Sequence, residues 1–231
     1  MTDEAMPPSI PTSVEKAYEF LRRMAIEFEI KPGERLNEGA IARHLRMSRA
    51  PVREAMNRLV SEDLLTVIPN QGFSCRRLSA SEVVALYEVR GDLEATAVGR
   101  ALPYERAQGL AELSAMCASL RRALKTDAAE TLVDLDEAFH LRLAGLSGNL
   151  ERIGMLKNIN ARVRFVRRIN LEDPVRAKRA LDEHLGIVAA LKAGNLDEAA
   201  QLTRRHLTLS AAEAAAFVNE GLARIYATTV A

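Results

Sequence analysis

A chain of 231 residues, 48% apolar but only 4% aromatic and without tryptophan, has material for one large or two small packed cores and favours helix over sheet. Its net charge of +1 excludes a globally basic nucleic-acid coat, and its two isolated cysteines, Cys75 and Cys117, form neither a disulfide framework nor a metal-ligand spacing. The first residues are acidic and proline-rich, unlike a signal peptide, and no apolar run nears the roughly 20 residues that span a bilayer, so the expectation is a cytoplasmic protein with no membrane partner.

In chain order, residues 1–12 read as a disordered arm. Thr12 or Ser13 can cap a helix to about Glu29, with Val14, Ala17, Tyr18, Leu21, Met24 and Ala25 at helical spacing. Ile30-Lys31-Pro32-Gly33 then makes a turn. Asn37 can cap a second helix, Glu38 to Leu45. After the break Arg46-Met47-Ser48, a third helix runs to about Asp63, with Pro51 in its first turn, where a missing N–H costs nothing. Leu64–Ile68, Pro69–Gly72 and Phe73–Arg76 read as strand, tight turn, strand. Three helices followed by a two-stranded wing describe a winged helix-turn-helix over residues 13–78. From 79 to 231 the pattern is helical, with helices near 80–101, 105–125, 127–146, 149–170, 174–193 and 196–219, the last continuing toward Tyr226. The fold class is mainly α: a winged head, then an all-α antiparallel bundle.

Local charge says more than the total. Between Lys31 and Arg58 there are seven Lys or Arg against three Glu, a patch that can meet phosphates, although a solvated face gives the same run. Arg49 and Arg53 lie four apart near the start of the third helix, on one face, where an Arg can grip guanine or phosphate. Ser48 and the helix N-terminus can donate to phosphate. The wing tip, Gln71-Gly72, can approach a groove closely.

The histidines point to a second chemistry. His44 sits in the head and reads as structural. Asp136 and His140 are four apart, on one helical face, and His184 and His206 fall on two later helices. A bundle can turn all four inward. Three imidazoles and a carboxylate suit a divalent transition metal, zinc first, with nickel, manganese and iron as alternatives, rather than calcium. Each histidine alone reads equally well as a hydrogen-bonded core residue.

Two stretches carry a family resemblance. Pro32-Gly33-Glu34-Arg35-Leu36-Asn37-Glu38, followed by Ser48-Arg49-Ala50-Pro51-Val52-Arg53-Glu54-Ala55, resembles the DNA-binding signature of GntR-family regulators. The resemblance implies a homodimer on a palindromic double-stranded operator, with Arg35, Ser48, Arg49, Ala50, Arg53, Gln71 and Gly72 at the DNA. Gly39 and Arg46 depart from the pattern, which often has Arg and Gly there; a left-handed Arg46 would cost about 1 kcal/mol. The remainder resembles the FCD ligand-binding domain of the FadR subfamily, whose metal-binding members carry Asp-x-x-x-His and two later histidines, here Asp136, His140, His184 and His206. Glu88-Val89-Arg90 and Leu93-Glu94 resemble that domain's first helix, which implies Arg90 as the clamp for a carboxylate effector, with an ion pair to Glu94 as the other reading. Asn160 and Arg164 are candidates for the same cavity, while a solvent-facing basic stripe (Arg162, Arg164, Arg167, Arg168) fits the spacing equally. The expected function is a transcription regulator, a repressor, controlled by a small organic acid at the metal site. A metal-dependent enzyme with a DNA-binding module, or a regulator whose metal is structural or itself the signal, are the alternatives.

Overall fold

The computed structural model describes residues 11–126 and 129–227, and the chain divides into two compact units, Met1–Arg77 and Leu78–Ala231. Among the described residues there are ten helices and one two-stranded sheet. Residues 1–10 of the expected arm lie outside the described residues.

The first unit holds α1 (Ser13–Ile26), α2 (Glu38–His44), α3 (Arg49–Ser61), β1 (Leu65–Ile68) and β2 (Gly72–Cys75). Thr12 opens α1 with a capping box: its hydroxyl accepts from the Glu15 amide, and the Glu15 carboxylate accepts from the Thr12 amide. The helix stops three residues short of the expected Glu29, because Phe28 turns to φ +52° and enters the core with Ile30. Ala17, Tyr18, Leu21 and Ala25 of α1 are buried, as are Val52, Ala55, Met56 and Leu59 of α3, with which α1 packs. The wing pairs antiparallel, Leu65 with Cys75 and Ile68 with Gly72, closing through Asn70 (φ +61°) and Gly72 (φ +83°). Residues 33–36 hydrogen-bond the other edge of β2: the Leu36 amide donates to the Phe73 carbonyl and the Cys75 amide to the Glu34 carbonyl, both at 2.9 Å. Arg35 is thereby fixed beside the wing.

The second unit contains α4 (Ala80–Gly99), α5 (Pro103–Ala123), α6 (Ala129–Gly145), α7 (Leu150–Glu172), α8 (Pro174–Lys192), α9 (Leu196–His206) and α10 (Ala211–Ala227). Helix α4 packs on α6, α7, α9 and α10, and α5 on α6 and α8. An apolar core of Leu113, Leu120, Phe139, Leu143, Leu146, Ile187 and Leu191 joins α5, α6 and α8. The single helix expected over 196–219 is two. It breaks at 207–210 because Leu207 is buried and Ser210 starts a new capping box with Glu213. The break leaves His206 in the last turn of α9. No helix among the described residues is long and apolar enough to cross a membrane.

Candidate DNA-reading groove and candidate metal centre

In the first unit a groove of about 560 Å³ is lined by Arg35, Glu38, Gly39, Arg49, Arg53, Gln71 and Gly72, among others. Three separate segments meet there: residues 35–39, which run from strand-like chain into the start of α2, the first turns of α3, and the wing tip. Arg35, Ser48, Arg49, Ala50, Arg53 and Gln71 are exposed, while Ser48 and Ala50 stand outside the groove lining. Ser48 caps α3 by position, yet its hydroxyl makes no capping bond and stays available for a phosphate. Arg53 is held by Glu38 through two hydrogen bonds of 2.9 and 3.2 Å. Gly39 faces Arg49 closely: a Cβ there would lie 3.1 Å from the guanidinium. His44 is exposed, its ring 5.3 Å from that of Phe20. Both cysteines are buried, and burial pushes each thiol up to about 11.

In the second unit the structure brings Asp136, His140, His184 and His206 together. One ligand atom from each lies within 4.8 Å of all the others. The i,i+4 spacing on α6 presents Asp136 and His140, α8 presents His184, and the end of α9 presents His206. The three imidazoles converge through Nε2: His206 lies 3.1 Å from His184 and 3.3 Å from His140. Asp136 Oδ1 is 3.8 Å from His140 Nε2 and 3.5 Å from His184 Nε2. Two of the three outer nitrogens are held by carboxylates, while His184 Nδ1 is buried with no hydrogen-bond partner among the described residues. His140 Nδ1 meets Glu94 Oε2 at 2.5 Å, and His206 Nδ1 meets Glu183 Oε2 at 2.6 Å. A carboxylate accepts a proton-bearing Nδ1, which leaves Nε2 as a bare lone pair in the neutral ring. Two such lone pairs 3.3 Å apart repel unless a cation lies between them, so this donor set fits a divalent transition metal.

The electrostatics agree. Burial, and for His140 the nearby Arg90, depress the histidines: His140 well below its ordinary value and His184 to about 3. Both are neutral, the form that binds metal. Burial raises Asp136, but Arg167 and the facing imidazoles outweigh it and hold the carboxyl low and ionised. The ring of Phe139 stacks on His184, centroids 4.0 Å apart, and fixes its plane.

The effector candidates divide. Arg90 is buried, with its Nε donating to Glu94 Oε1 at 2.7 Å, and Asn160 is buried nearby on α7. Arg164 is elsewhere: Asp134 and Glu137 on α6 take its guanidinium at 2.7 and 3.3 Å. The basic stripe is corrected too, because Arg167 is not on it. It is 2% exposed, pairing with Asp136 and donating to Asn160 Oδ1 at 3.3 Å. The sequence signal for Arg167 is its place among Ile159, Val163 and Val166 on the buried face of α7. Glu183 carried no signal, since its partner His206 lies on another helix.

Comparison with known proteins places both units. Residues 13–74 match the bacterial regulatory proteins of the gntR family, and residues 85–209 match the FCD domain. The chain is 38% identical over 184 residues to the Nta operon transcriptional regulator of Aminobacter aminovorans, covering 80% of this chain and 86% of that one. It is 31% identical to the HTH-type transcriptional regulator YdhC of Bacillus subtilis (82% and 85% covered), and 27% identical to the HTH-type transcriptional repressor GlaR of Escherichia coli (82% and 90%). Among solved structures, E. coli McbR/YncC superposes with a TM-score of 0.65 at 25% identity, over 95% of this chain and 99% of that one.

Proposed function

Because this chain belongs to the GntR family of DNA-binding transcription regulators and carries an FCD effector-binding domain, we propose that its effector acts at a metal centre held by Asp136, His140, His184 and His206. It is a regulator, not an enzyme. One observation carries the reading: His140 and His206 are oriented by Glu94 and Glu183 on Nδ1 so that their Nε2 atoms face each other 3.3 Å apart. Zinc suits the donor set first, then nickel, manganese or iron. Bound there, the ion supplies Lewis-acid attraction for an oxygen ligand. The chain's own residues supply orientation and exclude water. Glu137, the carboxylate next to Asp136, is engaged by Arg164.

The effector is a small organic acid reaching Arg90 and Asn160. The protein works in the cytoplasm as a homodimer on a palindromic operator, contacted through Arg35, Ser48, Arg49, Ala50, Arg53, Gln71 and Gly72. It acts as a repressor, as the E. coli relative GlaR is described. The effector shifts operator affinity by binding one arrangement of the dimer better than the other.

Metal content and operator binding of wild type and His184→Ala test this. Wild type is expected to hold one metal per chain, and His184→Ala to lose it while still binding operator DNA. Unchanged metal in His184→Ala sinks the centre. Operator affinity that ignores metal removal, restoration and added organic acids sinks the coupling.

A further inference from the structure

Four side chains converge on the centre, but they are not held alike. Asp136 pairs with Arg167, and both are buried. His140 meets Glu94 through Nδ1, and Glu94 in turn accepts from Arg90 at 2.7 Å, with both side chains enclosed. His184 has no hydrogen bond on Nδ1 among the described residues, yet the fully buried ring of Phe139 stacks on it with centroids 4.0 Å apart. Each of these three ligands is braced by a neighbour that water does not reach, and in a dry site such bracing is strong.

His206 is the exception. Its Nδ1 meets Glu183, whose side chain is 39% exposed. The cation beside Glu183 is Arg179, 3.7 Å away and more exposed still. Water can compete for Glu183 as it cannot for Glu94, so the outer grip on His206 is the weaker of the two. The His206 side chain is itself 9% exposed, the most of the four ligands.

The backbone repeats the contrast. Asp136 and His140 lie inside α6 and His184 inside α8, with at least a full helical turn on either side of each. His206 is the last residue of α9, directly before the break at 207–210. The final carbonyls of a helix lack intrahelical partners, and local opening starts at such ends. Arg204 before His206, and Leu207, Thr208 and Leu209 after it, line a cavity of about 420 Å³ against α4. On that side the turn carrying His206 borders open volume instead of packed core.

Resting on the metal reading above, we infer that His206 is the exchangeable ligand of the centre and that Glu183 is the positioning residue that sets how fast it exchanges. His206 turns aside to admit or release the ion, while Asp136, His140 and His184 keep their places as a three-sided cradle. Glu183, by holding Nδ1, returns the ring with Nε2 inward. Glu183 and His184 are neighbours on α8, so one helix supplies both a fixed ligand and the brake on the movable one. The centre can then load and empty with the bundle folded.

Zinc transfer from the loaded full chain to the chromophoric chelator pyridylazoresorcinol tests this, read as the release rate at saturating chelator. Glu183→Ala is expected to release zinc about tenfold faster or more, while still holding one zinc per chain when zinc is in excess. Glu183→Gln keeps an acceptor without the charge and is expected to fall between it and wild type. Asp182→Asn removes a carboxylate from the same helix that pairs with Lys178 and does not touch His206; its release rate is expected to match wild type. His206→Ala is expected to keep zinc in excess metal and to release it fastest of all, in contrast to His184→Ala. The metal-free melting temperature of Glu183→Ala is expected to equal that of wild type. A wild-type release rate in Glu183→Ala overturns the inference, as does equal acceleration by Asp182→Asn. So does a lowered metal-free melting temperature in Glu183→Ala, or a His206→Ala protein that holds no zinc in excess metal. Absent metal in wild type is a separate readout and overturns the metal reading itself.

Discussion

The head and the bundle use the same ion pair in opposite ways. In the head Arg53 meets Glu38 at 2.9 Å with the guanidinium 65% exposed; in the bundle Arg90 meets Glu94 at 2.7 Å with both side chains almost wholly enclosed. An exposed pair contributes little to stability, and its Arg can exchange a carboxylate for a phosphate at small cost. A buried pair is committed, because removing one partner leaves the other charged and dry. The difference suits the two tasks: a reading surface must release its charges to a changing partner, while a ligand centre must hold its donors still.

The sharpest way to break that contrast is a matched pair of substitutions. Glu94→Gln leaves Arg90 without its buried counter-charge and weakens the carboxylate grip on His140. It is expected to destabilise the bundle by about 3 kcal/mol or more and to weaken metal binding about 10- to 100-fold. Glu38→Gln in the head is expected to leave the denaturant midpoint unmoved. Equal effects in a denaturation series would show that burial does not separate the two pairs.

The second test is pH. In the metal-free protein burial depresses His140, and depresses His184 to about 3, whereas in the unfolded chain both protonate near 6.5. The unfolded state thus binds more protons as pH falls below 6.5, and the folded state resists. Bundle stability is complete above that pH and falls through the window from 6.5 toward 3, by about 1.4 kcal/mol per pH unit for each such histidine. The head contains only exposed His44 and none of these buried rings. Thermal unfolding of the metal-free chain between pH 7 and 5 reads the slope; a flat bundle transition would mean the rings are not held neutral.

A third test works on the head alone. Arg53→Ala removes a side chain that lines the groove but braces nothing buried. Operator affinity is expected to fall tenfold or more, with the melting temperature and metal content unchanged. Fluorescence anisotropy on operator DNA measures it, and loss of stability in step with loss of binding would contradict the proposed division of labour.

How much of this was legible in the sequence follows from the range of the interactions. The three helices and wing were readable because caps and turns are local: Asn37, Pro51 and Asn70-Gln71-Gly72 act within a few residues. The pairing of Asp136 with His140 was readable from one helical turn. So was the pairing of Arg90 with Glu94. The meetings of Glu94 with His140, Glu183 with His206 and Arg167 with Asp136 were not, since each joins two helices across 46, 23 and 31 positions. Only packing sets such meetings. Arg167 misled for a physical reason: its neighbours in a run of arginines suggest a solvent-facing stripe, and that outweighed its place on the apolar face of α7. The division of α9 from α10 was written in Ser210-Ala211-Ala212-Glu213, but the alanine-rich apolar period across it reads as one continuous helix.

The smallest predicted effect lies where a local rule is broken in the head. Arg46 stands at φ +54° between α2 and α3, the left-handed region that favours glycine. The strain there is about 1 kcal/mol for a residue with a Cβ. Glycine would relieve it but would also loosen the unfolded chain, which returns roughly 0.5 kcal/mol. Arg46→Gly is therefore expected to stabilise the head by the remainder, about 0.5 kcal/mol, read as slower amide exchange in α2 and α3. The sequence keeps an arginine despite that cost, and Arg46 is exposed two residues before the α3 cap Ser48. The same variant should thus bind operator more weakly at low salt and show a shallower salt dependence, by about one phosphate contact. If Arg46→Gly leaves the salt dependence untouched, the strained arginine serves no phosphate, and the basic face of the head is smaller than its charge count implies.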